Sequence, residues 1–150
     1  MSGFAAWGGV AVGVLNAVPA ALGTWRWYRG ENSRGFWIAL RVAQASALVY
    51  AAAVGVLAAA GHAPSEQLFY LYALLPLAVA FVAEQLRVAS AQTILDQRNL
   101  ADAQAVGALP EAEQHAIVAA IVRREMGVMT LSAMVVIFLA WRAAETAHGF

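Results

Sequence analysis

Apolar residues in this chain gather into four long blocks, separated by two short polar stretches and then by a longer mixed one. Residues 4–22 carry no charge and only Asn16 as a strongly polar side chain. Residues 36–60 are apolar apart from Arg41, Gln44 and a few hydroxyls. The third block covers residues 68–83 and the fourth residues 126–141. A helix needs about 20 residues to cross roughly 30 Å of hydrocarbon. The first two blocks reach that length outright, and the last two reach it with their polar flanks. The pattern predicts helices over about 4–27, 34–60, 66–100 and 110–146, in a single domain. The expected fold class is all-α, an integral membrane four-helix bundle.

The flanks agree with that prediction. Trp7, Trp25, Trp27 and Tyr28 mark the ends of the first block, and Phe36 and Trp37 open the second. Phe69, Tyr70 and Tyr72 open the third, and Trp141 closes the fourth. Such clusters suit the membrane–water interface. Ser33 is placed to cap the second helix. Gly61 and Pro64 punctuate the connection to the third. No basic residue precedes the first block, so it is expected to be a retained helix, not a cleaved signal.

Arginine placement predicts the orientation. The first connection carries Arg26, Arg29 and Arg34, with Arg41 just inside the next helix. The third carries Arg87, Arg98, Arg123 and Arg124, while residues 61–67 carry no basic residue. The first and third connections are therefore expected in the cytoplasm, and both termini outside (N-out/C-out). The expected location is the cell membrane, as a multi-pass protein of a bacterial inner membrane.

Helices three and four are expected to run past the membrane. Residues 84–100 lack Gly and Pro, and Val88, Ala91, Ile94 and Leu95 repeat at helical spacing. Pro110 suits a helix start, Glu111 and Glu113 suit its dipole, and Ile117, Val118, Ile121 and Val122 form a stripe. A turn is expected within residues 102–109. The two extensions form a cytoplasmic helical hairpin projecting roughly 20 Å.

Composition fits a membrane chain: 62% of the 150 residues are hydrophobic and 12% charged. A soluble domain has about a quarter charged residues. There is no cysteine and no lysine, which removes disulfides, thiolate metal sites, Schiff-base lysines and a phosphate-loop lysine. Nine basic residues balance nine acidic ones, which argues against a nucleic-acid partner.

Three groups of residues are candidates for chemistry. Glu84 and Arg87 on helix three and Arg123, Arg124 and Glu125 on helix four fall at similar depth in antiparallel helices. Glu84 is placed to pair with Arg123 or Arg124, and Arg87 with Glu125. One reading is an ion-pair network that fixes register. The other is a site for a ligand or lipid phosphate, with Arg26, Arg34 and Arg41 nearby. The second group, Asn16, Gln44 and Tyr50, lies at middle depth beside the carbonyls that Pro19 and Pro76 free. It is read as helix–helix hydrogen bonding or as a small polar cavity. The third is a ridge of small residues, Ala5, Gly9, Gly13 and Ala17, with a similar one at Ala51, Gly55 and Ala59. Both suit close helix approach, within one chain or between chains.

The three histidines, His62, His115 and His148, share no helix face, so neither a bis-histidine haem nor a paired-histidine metal site is expected. Met126, Met129 and Met134 are read as packing. No catalytic triad, nucleophile elbow or phosphate loop occurs. No cofactor is expected, and the residues lean away from an enzyme. The leading expectation is a non-enzymatic subunit, scaffold or assembly factor whose hairpin docks a protein partner or a second copy. The alternatives are a small transporter or anionic-lipid/phosphate-binding protein, and last an intramembrane enzyme acting on lipid head groups. The expected partners are membrane lipid and a protein or homo-oligomer.

Overall fold

The computed structural model describes residues 2–148. Four long helices form: α1 (Ser2–Arg29), α2 (Arg34–Ala59), α3 (Leu68–Gln97) and α5 (Glu111–Thr146), with a one-turn α4 (Ala103–Gly107) between the last two. No strand occurs among the described residues. All four long helices are long and apolar enough to cross a membrane.

Local chemistry sets the helix ends. The Phe36 backbone N–H donates to Ser33 Oγ at 3.3 Å, the cap expected from sequence. Gly30 and Gly61 adopt positive φ where α1 and α2 end, a conformation that a side chain would disfavour. Ala105 N–H donates to Asp102 Oδ1 at 2.9 Å, which starts α4. Pro110 precedes the first residue of α5, and its carbonyl accepts from Glu113 and Gln114.

The helices pack as a ring in chain order. α1 lies against α2, α2 against α3, α3 against α5, and α5 closes back on α1 over the largest contact. Antiparallel neighbours joined by short loops are the simple outcome of such connections. The α2–α3 loop and the C-terminal end share one end of the bundle, where Ser65 N–H and Oγ both donate to the His148 carbonyl, at 3.0 and 2.9 Å. The α1–α2 loop and the start of α5 share the opposite, arginine-rich end.

The interior is built largely from alanine: Ala5, Ala43, Ala47, Ala73, Ala133, Ala140 and Ala143 are among the buried residues. Large apolar side chains face outward instead, including Val14, Leu48, Val49, Leu71, Phe81, Leu131 and Phe138. Small residues at helix contacts with bulky ones outside fit a bundle in lipid, where packing is the main force between helices. Trp7 and Trp141 share a groove near one end, and exposed Trp25, Trp27 and Tyr28 ring the other.

Two aromatics expected at the interface are core residues instead. Phe36 and Phe69 are fully buried. Phe36 packs with Leu40, Ala83, Met126 and Met129, and Phe69 with Tyr50, Val54, Ala73 and Val136. Each stands on the inward face of its first helical turn, so azimuth decides its place, not its position along the chain.

The first small-residue ridge meets α5 of the same chain. A Cβ on Gly9 would stand 3.0 Å from the Ala140 carbonyl oxygen and 3.1 Å from the Ala144 nitrogen. Gly13 lies over Ala140 as well. The second ridge is not used this way: Gly55 and Ala59 are exposed, and a Cβ on Gly55 would meet open space.

Candidate functional site

The arginine-rich end holds most of the polar side chains singled out from sequence, but it divides them between two sides of the bundle.

On the α2–α3 side, Glu84 is the hub. Its Oε1 accepts from Arg41 Nη1 at 2.5 Å and from Gln44 Nε2 at 3.2 Å. Its Oε2 accepts from Arg87 Nε at 2.8 Å, one helical turn along α3. Arg41 Nη1 also donates to Gln44 Oε1 at 2.6 Å, so the two α2 side chains approach the carboxylate as a pair. Arg87 Nη1 lies 4.0 Å from Glu125 Oε2 and carries the network to α5. Mutual pairing of this kind stabilises charges that lie beside apolar segments.

Glu84 was expected to pair with Arg123 or Arg124, and it does not. The antiparallel α2 brings Arg41 and Gln44 to its face. Arg123 sits two residues before Glu125, about 200° round α5, and turns toward α1, with its guanidinium over the Trp27 ring at 5.9 Å. Arg124 is exposed. Arg34 and Arg41 flank an open groove along α2, with Trp37, Ile38 and Val42 between them.

The residues of the middle group find separate partners. Asn16 is buried, and its Nδ2 donates to the Val12 carbonyl at 2.9 Å within α1, not to the Leu15 carbonyl that Pro19 frees. Tyr50 OH donates to the Ala5 carbonyl at 2.9 Å, tying α2 to α1 near the opposite end. Gln44 belongs to the Glu84 network.

On the α1–α5 side lies a cavity of about 230 Å³. The end of α1 supplies Arg26 and Trp27, and the following loop supplies Gly30, Glu31 and Asn32. α5 supplies His115, Val118, Ala119, Val122, Arg123 and Met126. Glycine permits this approach: a Cβ on Gly127 would lie 3.1 Å from the Trp27 indole nitrogen. Arg26 Nη1 pairs with Glu31, while its Nε is buried without a hydrogen-bond partner. Asn32 Oδ1 accepts from Trp37 Nε1 at 3.1 Å, which holds the loop against α2. Trp27 and His115 were not grouped with Arg123 from sequence. Trp27 is distant along the chain, and His115 shares a face of α5 with Ala119, Val122 and Met126, a helical spacing that could have linked it to this wall.

Among the described residues, no three His, Asp or Glu side chains gather closely enough to hold a metal ion. No family model, curated protein or solved structure matches this chain.

Proposed function

We propose that this is a multi-pass integral membrane protein with both termini outside the cytoplasm, placed in the cell membrane (the inner membrane of a bacterium). In this reading it is a non-enzymatic subunit, scaffold or assembly factor. Its cytoplasmic surface is the hairpin made by the end of α3, α4 and the start of α5.

The observation that carries the proposal is the length of α5. Its 36 residues extend about 54 Å at 1.5 Å each, against roughly 30 Å of hydrocarbon. Arg123 lies level with Trp27 near the end of α1, so residues 111–122 continue beyond the α1 terminus. A helix with a purely membrane role has no use for these turns.

Charge supports the same reading. The collar carries Arg26, Arg29, Arg34, Arg41, Arg87, Arg123 and Arg124 against three glutamates. The tip beyond it carries Asp96, Asp102, Glu111 and Glu113 against Arg98 alone. A basic collar favours an anionic leaflet, and an acidic tip is repelled from it. The tip therefore stands free for a basic protein surface. The hub carboxylate supports a non-enzymatic role, because Glu84 is engaged by three donors.

The test is purification of the full chain from native membranes, with D96K/E111K/E113K alongside. A stoichiometric partner or a defined homo-oligomer is expected, lost in the charge-reversed variant at unchanged melting temperature. A lone monomer from native membranes, or an assembly indifferent to charge reversal, would sink the docking role.

A further inference from the structure

We propose that the cavity between the end of α1, the α1–α2 loop and α5 binds a phosphate group, either free or as part of a lipid head group. Two arginines reach it from different elements, Arg26 from α1 and Arg123 from α5. Planar guanidinium forks arriving from two sides suit a tetrahedral oxyanion better than a single carboxylate. Arg26 is already oriented by Glu31 through Nη1, and its side chain stays partly exposed at the wall.

Arg123 leaves its charge similarly available. It stacks over Trp27 instead of pairing with a carboxylate among the described residues. Asn32 and His115 add polar groups to the wall, and Glu31 is its one carboxylate among the described residues. Two arginines against one glutamate give the wall a net positive charge. The volume of about 230 Å³ lies below the roughly 300–1,000 Å³ of drug-sized sites. It suits a phosphate with the first carbons of its ester, and the apolar side chains of α5 provide surface for those carbons. The inference stands apart from the partner-docking role, since none of the acidic tip residues is needed for it.

The experiment is a thermal-shift titration of the purified full chain in neutral detergent. One arm adds inorganic phosphate or glycerol phosphate, with chloride at matched ionic strength as control. The other adds phosphatidic acid or phosphatidylglycerol, with phosphatidylcholine as control. Wild type is expected to respond in at least one arm, and the responding arm identifies the source. R26Q and R123Q are expected to weaken the response about tenfold each, the loss of one charge-assisted contact. R98Q, outside the cavity, should leave it unchanged. A119W, at an exposed α5 position, fills the cavity while keeping both arginines and should also abolish the response. Absence of any response in wild type overturns the proposal, and so does a response that survives A119W. Should R26Q or R123Q fail to fold, A119W alone decides.

Discussion

Arg41 on α2 and Glu84 on α3 meet at 2.5 Å, and that ion pair, joined by Gln44, is the main polar tie between the two helices. The two ends of the pair are unequal. Glu84 accepts from three side chains and is about a quarter exposed, while the Arg41 side chain is about half exposed.

That asymmetry predicts unequal mutants. Glu84→Ala removes the acceptor of Gln44 Nε2 and Arg87 Nε and leaves Arg41 with Gln44 alone, and we expect a loss of about 2 kcal/mol. Arg41→Ala leaves Glu84 with Arg87 and Gln44, and an exposed pair is worth about 1 kcal/mol or less. Melting temperatures in detergent should therefore fall clearly further for E84A than for R41A. Equal losses would mean that the network is not centred on the carboxylate.

The contact of α1 with α5 rests on Gly9. Gly9→Ala places a methyl group 3.0–3.1 Å from backbone atoms of α5, which cannot turn aside as a side chain can. Overpacking of this kind costs about 1–3 kcal/mol. Gly55→Ala, which meets open space, should be neutral or mildly stabilising. The pair is readily compared by thermal denaturation, and a G55A loss as large as that of G9A would point to the second ridge as a contact surface.

Tyr50→Phe removes the hydroxyl that donates to the Ala5 carbonyl and leaves the ring packing intact. Hydrogen bonds between membrane helices average about 0.6 kcal/mol in measured cycles, so a loss of about 0.5–1 kcal/mol is expected. Tyr50→Ala, which also opens a hole beside Phe69 and Val136, should cost several times more. Similar losses for the two variants would show that the hydroxyl carries the tie.

Orientation is open to labelling, because the chain has no cysteine of its own. A63C lies in the α2–α3 loop and A101C in the α3–α4 connection, both at exposed positions. With the termini outside, an impermeant maleimide should label A63C in intact cells and A101C only after permeabilisation. The reverse pattern would invert the topology and place the acidic tip outside.

Much of the fold was legible in the chain because its cause is local. Four apolar blocks of membrane-crossing length became four long helices, and Ser33 caps the second as its position suggested. Hydrophobic length and capping depend on near neighbours, so the sequence carries them directly. The candidate site was legible only in part. That Glu84, Arg87 and Glu125 lie at one depth follows from spacing along antiparallel helices.

Which arginine meets Glu84 was decided by the tertiary structure, because periodicity assigns residues to helix faces without saying which neighbour each face meets. The ring order put α2 beside α3, so Arg41 and Gln44 took the carboxylate and Arg123 turned to Trp27. Phe36 and Phe69 entered the core for the same reason, since helix rotation and not distance from a helix end determines burial. The α1–α5 cavity needed more still. It joins a loop to a helix far along the chain, and only packing of α1 on α5 brings Arg26 and Arg123 to one wall. By itself the sequence determined the helices, their lengths and the gathering of arginines at one end. The tertiary structure decided how those arginines divide between a closed network and an open pocket, because that depends on contacts no local pattern encodes.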